Sequence, residues 1–189
     1  MTPYDPKQAI LEYLSSSYYK EVLEQLFPEI DNTVNISTLQ FLKECSILHH
    51  QVHLVRYEYL SGRKMHEVHL VDQDELGIWH VSSTIGRMKE DKYATTVANN
   101  EVSKSMPVIR LSGRLGNDGA LSWASGTIIN NEFDVARVRL TSSNKVALED
   151  SVQHGYVLFL TDQKIQRPIE VSLYDYSGEI IDERVWLDI

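Results

Sequence analysis

The apolar positions of residues 5–27 follow the period of an amphipathic helix. Asp5 precedes Pro6, which gives an N-cap acceptor followed by a proline at the first helical position. Apolar side chains then recur every three or four residues, at Leu11, Leu14, Tyr18, Val22 and Leu26. The spacing predicts one helix that ends at Phe27, since a residue before proline avoids the helical region. A shorter helix is predicted from Ser37, with Gln40 in the capping-box position and apolar residues behind it, at Leu39, Leu42 and Cys45.

From His50 onward the period changes to two, which is typical of strands. Strands are predicted at about 52–59, 64–71 and 78–85, joined by a turn at Ser61-Gly62 and by the acidic stretch 72–77. They form a three-stranded antiparallel meander, and we expect the helices to cover one of its faces. Under two-residue alternation that face carries Val55, Tyr57, Val68, Leu70, Trp79 and Val81.

A polar segment follows the meander and indicates a boundary. Residues 1–95 are predicted to form the first part of the chain, 96–106 the connection and 107–189 the second part. Seven short strands are predicted in the second part, at about 107–115, 120–129, 134–142, 145–151, 155–162, 168–176 and 179–188. Short strands with regular turn signals favour a β-sandwich.

Three stretches of the second part form a recognisable set. They are GTIINNEFDVARVRL, which begins at Gly126, HGYVLFL, which begins at His154, and VSLYDYSGEI, which begins at Val171. Together, residues ~126–189 resemble the small immunoglobulin-like β-sandwich modules of uncharacterised bacterial proteins. The Cys…Trp…Cys pattern of true immunoglobulin domains is absent. The resemblance implies a fold and no activity. The predicted class is therefore α+β: N-terminal helices on a three-stranded antiparallel meander, followed by an immunoglobulin-like β-sandwich.

Composition and charge narrow the classes of partner. The 189 residues carry a formal net charge of −9, which argues against binding a phosphate backbone, so we expect no nucleic-acid partner. We also expect no membrane partner, because no apolar run approaches the ~20 residues that span a bilayer. Neither a signal-peptide pattern at the N-terminus nor a second cysteine besides Cys45 is found, so a cytoplasmic location is expected.

Histidines suggest one metal hypothesis. Six of the seven lie between His49 and His80. If the 72–77 turn places Val71 opposite Ile78, His69 faces His80, and Glu67 shares the outer face of the sheet with them. Two imidazoles and a carboxylate are a ligand set for zinc or iron. The alternative is an exposed histidine pair beside a salt bridge, and no metal or other cofactor is expected under it.

No catalytic motif stands out, so no catalytic residue is predicted. The nucleophile elbow, the phosphate loop and the dinucleotide fingerprint are all absent. Tyrosines are the remaining binding candidates, as Tyr57 and Tyr59 on the meander and Tyr174 and Tyr176 in the second part. Exposed tyrosines are favoured at protein interfaces, although cross-strand packing explains such pairs equally well.

The sequence therefore leaves three hypotheses about function. The first is a non-catalytic protein-interaction or structural accessory module of a bacterial cell, whose partner is another protein or a second copy of itself. The second is a small-molecule-binding protein, in which helices and a curved meander form a cone-shaped α+β pocket lined by Tyr57, His66 and Trp79. The third is a metal-binding protein that uses His69 and His80.

Overall fold

The chain divides into two compact units. A computed structural model describes residues 5–28, 32–89, 107, 109–114, 121–129 and 133–186. The units comprise Met1–Lys92 and Tyr93–Ile189. In this described part, antiparallel strands predominate and only two short helices occur. Neither helix is long and apolar enough to cross a membrane. The connection predicted at 96–106 lies outside the described residues.

Two helices, not one, open the N-terminal unit. Helix α1 runs Pro6–Leu14. Asp5 is its N-cap, because the Asp5 carboxylate accepts a hydrogen bond from Lys7 N at 3.0 Å. Helix α2 runs Ser17–Leu26. The helix is interrupted between them because the backbone of Ser16 is extended. The Ser16 hydroxyl accepts a hydrogen bond from Tyr19 N at 3.1 Å and so forms the N-cap of α2. The break shifts the helical phase, so the apolar stripe predicted through Tyr18 and Leu26 is wrong beyond α1. The side chains that turn inward are Ala9, Ile10, Leu14, Tyr19 and Leu23.

The helix predicted from Ser37 is wrong, because these residues lie in a strand. Strand β1 runs Val34–Ile47 and pairs with β2, His50–Tyr59. Its register shifts between Asn35 and Gln40 and again between Phe41 and Lys43. Irregularities of this kind interrupt the two-residue alternation. The interrupted apolar pattern of β1 therefore imitates helical spacing.

The predicted meander is the larger part of a four-stranded antiparallel sheet in the order β1-β2-β3-β4. Strand β3 runs Lys64–Gln73 and β4 runs Trp79–Lys89. The helices pack on the face that carries Val55, Tyr57 and Val71, with Trp79 and Val81 at its margin. Val68 and Leu70, which were predicted to share this face, fall on the opposite one because side chains alternate along β3.

In the described residues of the C-terminal unit, seven strands lie at the seven predicted places. They are β5 (Ile109–Arg114), β6 (Ser122–Ile128), β7 (Arg137–Ser142), β8 (Ala147–Ser151), β9 (Tyr156–Thr161), β10 (Ile169–Tyr174) and β11 (Ile180–Trp186). Two antiparallel sheets result, ordered β5-β6-β9 and β11-β10-β7-β8. One apolar core draws on both sheets, for example through Leu111 and Phe159 on the first and Leu140 and Leu173 on the second.

Candidate functional site

A buried carboxylate lies at the centre of the helix-covered face of the N-terminal unit. Glu67 is in the middle of β3, between β2 and β4, and its side chain has no exposed surface. The hydroxyl of Tyr19 is 2.8 Å from both carboxylate oxygens. Arg87 Nε donates to Glu67 Oε1, and His69 Nε2 is 3.2 Å from Oε2 at an angle that does not make a hydrogen bond. A buried charge is stable only with such partners.

Local structure explains why these side chains meet. Glu67 and Arg87 are directly opposite each other in the β3–β4 ladder, so their side chains share a face. Tyr19 is brought in by α2, whose first turn is fixed by the Ser16 cap. The guanidinium of Arg87 also lies 5.9 Å from the ring centres of Tyr19 and Phe27, within cation–π range.

Three tyrosine hydroxyls continue the network away from the carboxylate. Tyr19 donates its proton to Glu67, so it accepts from Tyr57, whose hydroxyl is 2.7 Å away. The hydroxyl of Tyr59 is 3.4 Å from that of Tyr57, and the two rings meet edge to face. Tyr57 and Tyr59 are 0% and 2% exposed, so of the two interpretations left open for this pair, packing in the core applies and exposure at an interface does not. We call Glu67, Arg87, Tyr19, Tyr57 and Tyr59 the polar cluster.

The charges of the polar cluster are set by its own contacts. Burial raises the pKa of Glu67, but the contacts with His69 and Arg87 outweigh it and bring the pKa below its ordinary value. Burial lowers the pKa of Arg87, and the charge of Glu67 more than restores it. Burial raises the pKa of Tyr19 and of Tyr57, and the nearby carboxylate adds to the effect. The cluster therefore holds one carboxylate, one guanidinium and neutral phenols.

A cavity of about 310 Å³ adjoins the polar cluster at the end of α2. Its wall combines apolar and aromatic surface with two guanidinium groups and one amide, from Phe27, Asn32, Tyr59, Arg63, Met65 and Arg87. Arg87 and Tyr59 thus belong to both the cluster and the cavity wall. Sites for small molecules have this composition, a mostly apolar wall with a few placed polar groups.

A second, more open cavity of about 490 Å³ lies between α2 and β4. Tyr18, Val22 and Leu26 line it from the helix, and residues 81–87 line it from the strand. Arg87 lies at the boundary of both cavities. Its side chain is 19% exposed, so the polar cluster reaches solvent through this residue.

The pocket predicted around Tyr57, His66 and Trp79 is not formed by these three residues. Tyr57 is buried in the cluster, and Trp79 packs at the margin of the core. His66 is 6% exposed and alternates with Glu67, which places it on the opposite face of β3. None of the three lines either cavity described above.

The predicted pairing of His69 with His80 is also wrong. His69 lies opposite Thr84, and its Nδ1 is 3.2 Å from the threonine hydroxyl. The turn is shorter than expected because Asp74 N bonds to Ile78 O at 2.9 Å, and two register shifts follow in the β3–β4 ladder.

His69 and Glu67 therefore face the helices and are fully buried. His80 is instead 59% exposed and lies beside Asp74. Among the residues that the structure describes, no group of three His, Cys, Asp or Glu side chains is placed to hold a metal ion.

Tyr174 and Tyr176 lie together in the C-terminal unit, one in β10 and one in the turn that follows it. Tyr174 is half-buried beneath the guanidinium of Arg137, 4.5 Å from its ring centre. Tyr176 is 82% exposed.

The sequence missed most of the residues that form the site. Arg87 lay just beyond the third predicted strand, which was expected to end at about 85, whereas the observed strand continues to Lys89. Asn32 and Arg63 lie between regular elements, where single polar residues carry no pattern. Tyr19 is next to Tyr18 in the sequence, but the prediction of one long helix directed the Tyr18 side chain toward the core instead of that of Tyr19. A Ser-Ser pair before a second amphipathic segment, at Ser15 and Ser16, was the available signal for the break.

Comparison of the chain with protein-family models, with curated proteins and with solved structures finds no match in any of the three.

Proposed function

We propose that this chain is a non-catalytic small-molecule-binding protein whose ligand occupies the 310 Å³ cavity at the end of α2. The observation that carries the proposal is the wall of that cavity, where three apolar or aromatic side chains face two guanidinium groups and a buried amide. The polar cluster supports it from behind, because Glu67 holds Arg87 and the hydroxyl chain holds Tyr59. Wall residues held in place in this way are pre-organised for binding, which lowers the entropy cost of association.

Catalysis is not part of the proposal. The carboxylate of Glu67 is saturated by its partners and has no exposed surface, so it is poorly placed to take a proton from a substrate. The phenols of Tyr19 and Tyr57 have raised pKa values because they are buried, which makes them weak acids at neutral pH. These properties fit a cluster that supports a binding site.

Native mass spectrometry of the purified, untagged protein tests this function. We expect this measurement to show the mass of a bound small molecule. If none is retained, we expect members of a chemically broad library to stabilise the N-terminal unit against unfolding. The variant Met65→Phe, which fills part of the cavity, should lose the bound mass or the stabilisation. Leu76→Phe adds an aromatic ring at a position that is 84% exposed and serves as the control. A clean mass together with no stabilisation by any compound would overturn the proposal.

A second candidate function uses the C-terminal unit, which we propose to be an immunoglobulin-like sandwich. Its strand orders, β5-β6-β9 and β11-β10-β7-β8, and its shared apolar core support that fold. Strand β11 is an edge, and Ile180, Val185 and the preceding Tyr176 are 56%, 63% and 82% exposed. Exposed apolar side chains on an edge strand favour a protein-interaction module whose partner is another protein or a second copy. Light scattering should then show a dimer that Val185→Lys dissociates, and a monomer at all concentrations would argue against self-association.

A further inference from the structure

The cavity at the end of α2 contains one positive charge that the described part of the chain does not neutralise. Arg63 and Arg87 both line this cavity. Arg87 is paired with Glu67, so its charge is compensated within the protein. Arg63, in the turn between β2 and β3, is half-buried and has no carboxylate partner among the described residues. Arg63 therefore brings an uncompensated positive charge to the wall.

A buried hydrogen-bond acceptor lies in the same wall. Asn32 is only 4% exposed, and its Nδ2 donates to Leu23 O at 3.3 Å and Phe27 O at 3.0 Å. These two bonds to the end of α2 fix the amide, and they leave Oδ1 without a hydrogen-bond partner. Buried polar atoms are nearly always paired, so an unpaired one in a cavity wall indicates a missing donor. An O–H or N–H group of a ligand would supply it.

The remaining wall is suited to an apolar body. Phe27, Met65 and the ring of Tyr59 complete the lining. The volume of about 310 Å³ is at the small end of the range for ligand sites. Arg87 is neutralised by Glu67, so a second negative charge on the ligand would have no uncompensated counter-charge in the described wall.

We infer that the cavity binds a small organic monoanion: a carboxylate that bears a hydroxyl or N–H group beside an apolar body. The inference rests on the proposed function and names its ligand class. Arg63 binds the carboxylate through its planar pair of N–H donors. Asn32 Oδ1 accepts from the hydroxyl or N–H, and Phe27 and Met65 contact the apolar body. The chain carries a net charge of −9, which disfavours the binding of an anion elsewhere on the protein. The positive charge in the cavity therefore makes this cavity the favoured place for an anion.

Calorimetry with the full chain tests the inference, with mandelate as the probe. Three related compounds are compared with it: phenylacetate lacks the hydroxyl, mandelamide lacks the charge, and phenylmalonate carries a second carboxylate in place of the hydroxyl. Comparison of phenylmalonate with phenylacetate therefore isolates the second charge. We expect mandelate to bind most tightly of the four. The hydroxyl is removed from the ligand and Asn32 is left unchanged, because Asn32 also holds the end of α2.

The protein side is tested by two neighbouring residues of equal charge. Arg63→Gln should weaken mandelate binding about tenfold or more, the usual effect of losing a charged hydrogen bond. Lys64→Gln removes the same charge one residue away, from a lysine that is 42% exposed, pairs with Glu58 at 3.9 Å and does not line the cavity. The affinity of the Lys64→Gln variant for mandelate should stay within about twofold of that of the parent, because exposed charges contribute little to binding.

Several outcomes overturn the inference. They are tighter binding of mandelamide or phenylmalonate, equal losses in Arg63→Gln and Lys64→Gln, and no binding of either monocarboxylate at millimolar concentration. A neutral or cationic compound that binds the parent but not Met65→Phe would keep the proposed function and overturn only the ligand class. Failure of every compound in both experiments would overturn the two together.

Discussion

The helix-covered face of the N-terminal unit and the core of the C-terminal unit differ in what they bury. The first encloses Glu67 and surrounds it with Arg87, His69 and tyrosine hydroxyls. The second is formed by aliphatic side chains and Phe159, and the buried polar residues among its described positions are serines, a threonine and Asp182, which pairs with Arg184. Removing an ion from water costs several kcal/mol, and apolar residues of similar volume are often as stable. Stability alone therefore does not explain the polar cluster, and the binding site that we propose beside it would give the cluster a role.

The largest expected effect follows from neutralising the carboxylate of the polar cluster. Glu67→Gln leaves Arg87 partly buried without its counter-charge and disturbs both hydrogen-bond acceptors of Tyr19. We expect the free energy of unfolding of the N-terminal unit to fall by about 3–5 kcal/mol. Urea titration with peptide-resolved hydrogen exchange measures the two units separately.

The matched control is an exposed pair in the C-terminal unit. Arg137 and Glu149 are 3.2 Å apart, with side chains 39% and 43% exposed. Glu149→Gln should change the free energy of unfolding by about 0–1 kcal/mol, because solvent screens such pairs. Equal losses in the two variants would remove the distinction between the units.

The same contrast explains how much of the structure the sequence could predict. In the C-terminal unit turn signals separate the strands and alternation is clear in β7 and in the first half of β10, so all seven strands were predicted from local pattern. In the N-terminal unit, β1 lost its alternation at two register shifts and imitated a helix. The polar cluster depended on register in β3–β4, where a slip of one residue moves a side chain to the other face. A single Glu67 in a sequence carries no sign of which face it takes.

An intermediate effect is expected from acidification, through His53. This side chain is 1% exposed, its Nδ1 has no hydrogen-bond partner, and burial lowers its pKa to about 4 from an ordinary 6.5. Between those values the unfolded chain binds a proton that the folded chain does not, so stability is complete above pH 6.5 and falls toward pH 4. At pH 5 the loss should be about 2 kcal/mol in the N-terminal unit.

The variant His53→Gln isolates this contribution. It cannot titrate, so the change in urea midpoint between pH 7 and pH 5 should shrink in the variant. Glu67 does not interfere, because its pKa lies below the ordinary value of 4.5 and thus outside this pH range. A variant that keeps the full pH dependence of the parent would show that other groups carry it.

The smallest effect tests whether the hydroxyl chain of the polar cluster, and not the aromatic rings alone, contributes to the N-terminal unit. Tyr19 and Tyr18 are adjacent in α2, but Tyr19 is 1% exposed and Tyr18 is 64% exposed. Tyr19→Phe keeps the ring and removes the hydroxyl that links Glu67 to Tyr57. The buried hydroxyl of Tyr57 then loses the oxygen that accepts its hydrogen bond. We therefore expect the free energy of unfolding to fall by about 1–2 kcal/mol.

Tyr18→Phe removes the same atom from the same helix at an exposed position, so its effect should stay within about 0.5 kcal/mol. Because Tyr59 lines the cavity, Tyr19→Phe should also weaken ligand binding while Tyr18→Phe leaves it unchanged. If both variants kept the parent's stability and affinity, the hydroxyl chain would be a passive part of the core. Within the polar cluster, the contrast with the C-terminal unit would then rest on the Glu67–Arg87 ion pair and not on the tyrosine hydroxyls.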